Sequence, residues 1–346
     1  MKGVLIKSVI YIVENSSDEK KRVETLKALQ KDFCSTNRGF IFLENLLISD
    51  LNPNIRKKAA ELLGQYCLPN ALQPIKWALQ NDNSLNCVIK YVEIIKNYNK
   101  TVLKLFLINE IEHFINKYKR FQPKLENFVL FNRELDELIE IFLNYKVLNN
   151  LIIIFPNLIK EHKAVLIQEG IIKRLDLINK NIKEIKEVEG LDLLKHLEEF
   201  NLSFNDISGI NGLNNLIKLR NLNLSHNKIT KIENLENLTE LNSLNLGFNK
   251  IENIQGLKNA KKLKSLNLMH NKIMEFNDLT QVQSLETINL SKNLISKING
   301  LENFKNLKSL DLTLNSIPDI SKLDKYKKNI NLILYGNPFN TYDPGL

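Results

Sequence analysis

The sequence predicts two consecutive solenoids. Residues 1–165 are predicted to form an all-α helical domain, and residues 166–346 an α/β horseshoe with a parallel concave sheet. Two observations lead to this fold class. Apolar residues recur at helical spacing through the first half, and leucine and asparagine recur every 22 residues through the second. The length of 346 residues, about twice that of a typical domain, agrees with two domains.

The N-terminal half contains helices that repeat along the chain. Asn52-Pro53 is predicted to begin a helix, because Asn is a favoured N-cap and Pro a favoured first helical residue. Residues 50–66 can be overlaid on residues 82–98 with a shift of 32. Such helix pairs stack into α-solenoids. The repeated segment resembles a HEAT repeat, whereas residues 101–165 keep the helical spacing without a clear repeat.

Two ladders of residues, each with a gap of 22, define the C-terminal half. The ladder asparagines are Asn205, Asn227, Asn249, Asn271, Asn293, Asn315 and Asn337. The ladder leucines are Leu191, Leu213, Leu235, Leu257, Leu279, Leu301 and Leu323. The LxL unit before each asparagine alternates with period two, which predicts a short strand with inward leucines. A lone strand cannot bury them, so stacked repeats are expected to share one core.

The pattern LxxLxLxxNxI, clearest in residues 219–229, resembles the leucine-rich-repeat family with 22-residue repeats, of the protein phosphatase 1 regulatory type. The resemblance covers about half of the chain and implies about eight repeats. It also implies protein binding through the concave sheet face, without catalysis. A phosphatase-like catalytic subunit is one partner that it suggests.

The ladder asparagines are predicted to be structural, because an amide can both donate to and accept from backbone groups left open by a turn. A second column, mostly Gly, Asn and Asp, includes Gly212 and Asn234 and predicts turns with left-handed backbone. Only residues 339–346 follow the last repeat. We therefore expect either a packed tail or self-association at that edge.

Two exposed columns of the repeat are candidate partner-binding surfaces. The strand column contains Asn201, Asn223, Asn245, Asn267 and Asn289. The column just before the ladder asparagines contains Phe204, His226, Phe248, His270 and Lys292, with Met269 beside it. Aromatic rings bordered by amides have the composition of interface hot spots. Two alternatives stay open: the amides simply face water, and the rings pack against the turn.

The sequence contains no motif for catalysis, and it predicts no cofactor and no metal site. His226 and His270 lie two repeats apart with Phe248 between them, too far apart to share one metal ion. The net charge of +9 is spread over both halves, which does not favour nucleic acid. Basic clusters such as Lys20-Lys21-Arg22 leave nucleic-acid or anionic-surface binding as an alternative function. A structural role in an assembly is a second alternative.

The cysteine pattern predicts a reducing compartment such as the cytoplasm, because Cys34, Cys67 and Cys87 have no zinc spacing and an odd count. The apolar start of the chain is interrupted by Lys7 and is predicted to be an amphipathic helix, not a signal peptide. No apolar run reaches the roughly 20 residues that span a bilayer, so no membrane segment is predicted. The oligomeric state is left open.

Overall fold

A computed structural model describes residues 2–118, 130–158, 164–320 and 329–338. The chain divides into two compact units, residues 1–150 and 151–346. Helices form the first unit and a stacked parallel sheet forms the second. The border at residue 165 between independently folding domains stays a prediction.

Nine α-helices occur within the described residues. They are α1 Lys2–Asn15, α2 Glu19–Lys27, α3 Lys31–Cys34, α4 Asn37–Ser49, α5 Pro53–Tyr66, α6 Leu72–Asn81, α7 Leu85–Tyr98, α8 Lys100–Tyr118 and α9 Leu135–Ile154. Helix α5 begins as predicted, with the Asn52 side chain accepting from the backbone N–H of Asn54 at 2.8 Å. None of the described helices is both long and apolar enough to cross a membrane.

A partly buried ion pair recurs in the helical unit. Asp50 and Asp82 are the C-caps of α4 and α6. Arg22 from α2 binds the carboxylate of Asp50, and Arg56 from α5 binds that of Asp82 through two bonds of 2.8 Å. The Tyr91 hydroxyl donates to Asp82 as well, at 2.8 Å. The repeat visible in the sequence is therefore also a repeat of side-chain contacts.

The second unit contains a nine-stranded sheet whose strands follow chain order. The strands are β1 Val165–Gln168, β2 Ile171–Asp176, β3 Glu199–Asn201, β4 Asn221–Asn223, β5 Ser243–Asn245, β6 Ser265–Asn267, β7 Thr287–Asn289, β8 Ser309–Asp311 and β9 Asn331–Ile333. Strands β2 to β9 are parallel, and from β3 onward each residue pairs with the residue 22 positions later. Strand β1, which the repeat did not predict, runs antiparallel to β2 and covers its edge.

The leucine columns form the core of the sheet unit. Leu222 and Leu224 of one repeat are 2% and 0% exposed, and the ladder residue Leu235 is 2% exposed. Burying each such side chain contributes roughly 1.5–3 kcal/mol. The segments that connect the strands contain short 3₁₀ turns, two of which follow left-handed glycines, Gly190 and Gly300. The Gly, Asn and Asp column therefore marks turns, as the sequence predicts.

Each ladder asparagine ties two successive repeats together. Asn249, which is 8% exposed, accepts from the backbone N–H of Ile229 at 2.9 Å and donates to the carbonyls of Leu224 and Leu246, both at 3.0 Å. Equivalent bonds recur along the ladder to Asn337. Residues 339–346, on which the expected tail or self-association depends, lie outside the described residues, as does Leu323.

Candidate functional site

Four rings from successive repeats form one continuous stack. The centroids of Phe204 and His226 lie 4.0 Å apart, those of His226 and Phe248 4.1 Å, and those of Phe248 and His270 4.8 Å. The rings are parallel to within 10–16°. Parallel strands are spaced by about 4.8 Å, so residues one repeat apart arrive at stacking distance. We call these four residues the ring stack.

The turn after each strand positions the ring stack. All four residues have left-handed backbone, with φ between 54° and 57°. Lys292 and Leu314, in the same column, also have left-handed backbone. Their backbone N–H groups donate to the next repeat, for example His226 to the carbonyl of Gly247 at 2.9 Å. The ring stack thus lies beside the strand face, at the ends of β3 to β6. Its position is fixed by backbone bonds that do not depend on the side chain.

The rings of this stack lie at the surface. Phe204 is 53% exposed, and none of the four residues belongs to the buried core. His226 and Phe248 are half-buried because a neighbouring ring covers each of their faces. The stack therefore presents mainly ring edges to solvent. Lys292, which is exposed, continues the column in the next repeat.

The strand asparagines use their oxygens internally. Each side-chain oxygen accepts from the backbone N–H two residues later, at 2.9–3.1 Å. The donors are Ser203, Ser225, Gly247, Met269 and Ser291 for Asn201, Asn223, Asn245, Asn267 and Asn289. The amide nitrogens of these five side chains donate to no atom of the described residues. A free amide can both donate and accept, but here the oxygens are already occupied, so this column offers a partner its NH₂ groups.

The strand face beside the ring stack carries no formal charge over four strands. We call this surface the neutral floor, and it consists of the outward residues of β4 to β7: Asn221, Asn223, Ser243, Asn245, Ser265, Asn267, Thr287 and Asn289. Charges border it, and Glu286, which directly precedes β7, is paired with Lys264 and Lys308. Arg174 pairs with Glu199 on the side of β3, and Asp311 lies on β8. In the described residues, no group of three His, Cys, Asp or Glu is placed to hold a metal ion.

Half of the described residues in the basic clusters are engaged in ion pairs. The pairs are Arg22 with Asp50, Arg56 with Asp82, Lys58 with Glu61 and Lys262 with Glu240. These groups would have to leave a carboxylate before binding a phosphate. Lys119-Arg120, a further basic pair, lies outside the described part of the chain.

Comparison with known proteins identifies the repeats. Models of leucine-rich repeats match residues 195–237, 217–259 and 259–273, so this segment contains leucine-rich repeats. A search of curated proteins found no match. All the matched residues lie in the sheet unit, and neither the HEAT resemblance nor the phosphatase-regulator resemblance finds support in these comparisons.

The solved structures that are similar to the chain include the following three. Internalin C2 of Listeria monocytogenes is 27% identical with a TM-score of 0.39, covering 48% of this chain and 81% of the internalin. A second Listeria monocytogenes internalin is also 27% identical, with a TM-score of 0.33, covering 49% and 62%. A leucine-rich repeat protein of Leptospira interrogans is 22% identical with a TM-score of 0.42, covering 48% and 49%. The chain thus spans less than two thirds of the last two proteins.

Proposed function

We propose that this leucine-rich repeat protein is a non-catalytic scaffold or regulatory subunit that holds another protein on the ring stack and the neutral floor. The observation that supports this most is the exposed four-ring stack. A row of parallel rings at a protein surface is a continuous aromatic surface, and among the described residues its ring contacts are with one another. Aromatic anchors surrounded by polar groups dominate the energy of protein interfaces.

The stack is already ordered before a partner arrives. Its backbone is fixed by bonds between repeats, and each ring is restrained by its neighbour. Binding a preorganised surface avoids the conformational cost of about 0.5–1.5 kcal/mol per side chain immobilised. Removing one buried anchor would weaken binding by about 2 kcal/mol, or about 30-fold.

The absence of turnover belongs to this proposal, since the matching models describe repeats and not a catalytic domain. A phosphatase-like catalytic subunit is one candidate partner, suggested by the resemblance of the repeat. We also propose a cytoplasmic location, on the basis of the sparse, free cysteines.

The test replaces the two phenylalanines of the stack. Phe204→Ala with Phe248→Ala removes the apolar rings, and Phe204→Asn with Phe248→Asn does so with a residue suited to left-handed backbone. The chain itself contains this solution, because Asn179 occupies the corresponding turn of the first repeat at φ 54°. Both double variants should fold and should lose the partners that the parent protein retrieves from native lysate.

The control removes exposed apolar side chains elsewhere in the sheet unit. Ile217 and Met274 are 49% and 64% exposed and lie in segments that connect strands. Their double asparagine variant should retrieve the same partners as the parent. If the ring-stack variants also retrieve them in equal yield, the proposed site is wrong. If the parent protein instead retrieves nucleic acids, and if added salt releases them steeply, the alternative function of nucleic-acid binding is favoured.

A further inference from the structure

We infer that the partner is an acidic peptide segment, in which carboxylates flank an apolar side chain that packs on the ring stack. This inference rests on the proposed function and names the chemistry of its partner. It follows from three features of the surface: the ring edges, the amide nitrogens and the distribution of charge.

The ring stack presents its electropositive parts. An aromatic ring carries negative potential on its faces and positive potential at its edge. In this stack the faces of His226 and Phe248 are covered by neighbouring rings within 5 Å, so that the edges meet solvent. Lys292, an exposed residue, is the next member of the same column after His270. A row of ring edges that ends in a lysine favours oxygen acceptors and anions over cations.

The neutral floor adds hydrogen-bond donors to this surface. Its four strand asparagines, Asn223, Asn245, Asn267 and Asn289, have an oxygen that already accepts a backbone N–H, and their NH₂ groups remain for a partner. Each NH₂ group has two donor hydrogens and no acceptor capacity. Carboxylates accept through two oxygens and form stronger bonds than neutral acceptors do. An acidic segment is therefore the best complement to this row of donors.

The distribution of charge favours an acidic partner, because the neutral floor has no acidic side chain that would repel it. No Asp or Glu lies among the outward residues of β4 to β7, so a carboxylate placed there meets no like charge on the floor. The whole chain carries +9 and adds long-range attraction. A basic segment would instead face donors and ring edges on these four strands, and Glu286, the carboxylate that directly precedes β7, is already paired with Lys264 and Lys308. Such mismatches are what exclude wrong partners at interfaces.

One position in the same column shows how to test this without disturbing the fold. Asp311 on β8 occupies the place of the strand asparagines, and its carboxylate accepts from the N–H of Thr313 at 2.9 Å. An aspartate can therefore keep the internal bond while replacing the NH₂ group by a second oxygen. Asn245→Asp with Asn267→Asp should fold normally and should reverse the character of the floor from donor to acceptor.

The first experiment selects ligands from a random peptide library displayed on phage, using the full chain as bait. We expect the selected peptides to be enriched in Asp and Glu beside an apolar or aromatic residue. One selected peptide is then synthesised with a fluorescent label, together with versions in which Glu and Asp become Gln and Asn, or Lys. Fluorescence anisotropy should rank the acidic peptide first, the amide version about tenfold weaker and the lysine version last, with affinity falling as salt is added.

The second experiment measures the same peptides against the variants. Asn245→Asp with Asn267→Asp should weaken the acidic peptide by about tenfold or more and reduce its advantage over the amide version. The control carries the same charge change on exposed residues between strands, Asn237→Asp with Asn259→Asp, and should change affinity by less than about twofold.

The outcomes separate the two proposals. If the acidic peptide binds equally well to the Phe204→Asn, Phe248→Asn variant, the ring stack is not the site and the proposed function is wrong. If that variant abolishes binding but the acidic, amide and lysine peptides bind the parent equally, the site stands and the acidic partner is wrong. Selection of basic peptides, or of no peptide at all, also overturns the acidic partner.

Discussion

The phenyl ring of Phe248 lies parallel to the imidazole of His226, with 4.1 Å between their centroids and 11° between their planes. The two residues are 22 positions apart in the chain and meet because β4 and β5 pair in register, Asn223 with Asn245. Their backbone conformation is the same in repeats that carry Lys292 or Leu314 instead. The fold therefore requires this turn but does not require an aromatic ring in it.

Asn249 follows Phe248 in the chain, and we expect the fold to require its side chain. Asn249→Ala leaves the buried N–H of Ile229 without its acceptor, whereas the carbonyls of Leu224 and Leu246 each keep the amide of a neighbouring ladder asparagine. We expect a loss of roughly 1–3 kcal/mol in the free energy of unfolding of the sheet unit. Denaturant unfolding followed by circular dichroism measures it.

The adjacent substitution Phe248→Asn is the control for this prediction. It removes a surface ring and leaves the backbone bonds of the turn in place, so its effect should stay below about 1 kcal/mol. Equal losses for the two neighbours would contradict the division between a structural ladder and a binding column.

Two glycines of the turn column should differ in their tolerance of a side chain. Both have left-handed backbone, with φ of +84° at Gly212 and +93° at Gly256. A Cβ at Gly256 would lie 2.1 Å from the carbonyl oxygen of Ile232, whereas at Gly212 the nearest atom, the backbone nitrogen of Lys186, is 3.4 Å away. Gly212→Ala should cost about 1–2 kcal/mol from its backbone conformation alone.

Gly256→Ala adds a collision with backbone to the same conformational cost. We expect it to lower the free energy of unfolding by about 3 kcal/mol or more. Thermal melting of the two variants and the parent checks whether Gly256→Ala is less stable than Gly212→Ala. A Gly256→Ala variant as stable as Gly212→Ala would show that the turn adjusts more freely than its geometry indicates.

The antiparallel strand β1 should protect the first edge of the sheet. It pairs with β2 through a turn at Glu169 and Gly170, which both have positive φ. A fragment of residues 164–346 should unfold cooperatively and stay less associated than a fragment of residues 171–346, whose β2 edge is open to other chains. Sedimentation at matched concentrations compares them. An unfolded 164–346 fragment would refute the predicted independence of the C-terminal domain.

The sequence predicted the parts of this fold that repeat. Regular spacing identified the strands and the inward leucines. It also aligned four residues in one column, Phe204, His226, Phe248 and His270, because residues 22 positions apart lie side by side once the strands stack. Strand β1 lies outside that period. The Glu169-Gly170 pair between two apolar runs was a hairpin signal that could have revealed it.

The internal bonds of the strand asparagines could not be predicted in the same way. They depend on the direction of the N–H group two residues later, which the turn conformation sets. Spacing alone therefore gave the right column of amides but not which half of each amide is available to a partner. The recurring ion pairs of Arg22 and Arg56 were also missed, because these two arginines lie 34 positions apart and do not fall on the shift of 32.

A buried lysine in the helical unit should make stability depend on pH. Lys146 of α9 is 4% exposed, and its ammonium group donates to the carbonyls of Gln80 and Asp82 at 2.7 and 3.4 Å. Burial lowers the pKa of Lys146 to about 8, although the carboxylates of Glu110 and Asp82 act in the opposite direction. In the unfolded chain the pKa of a lysine is about 10.4.

Between these two values the unfolded chain holds a proton that the folded chain has released. The free energy of unfolding therefore rises with pH across this window, and the destabilising contribution of the buried charge is fully present only below about pH 8. Lys146→Met fills the same space without a titrating group. Between about pH 7 and about pH 10.5, the free energy of unfolding of the parent should rise by on the order of 3 kcal/mol relative to that of the variant.

Trp77 offers the measurement, because it is the single tryptophan of the chain and lies on α6, the helix that Lys146 contacts. Its fluorescence reports denaturant unfolding of the helical unit at each pH. Tyrosines and other lysines titrate in the same range, but they are common to both proteins and cancel in the difference. A parallel pH dependence in the parent and Lys146→Met would mean that the buried ammonium group keeps its ordinary pKa.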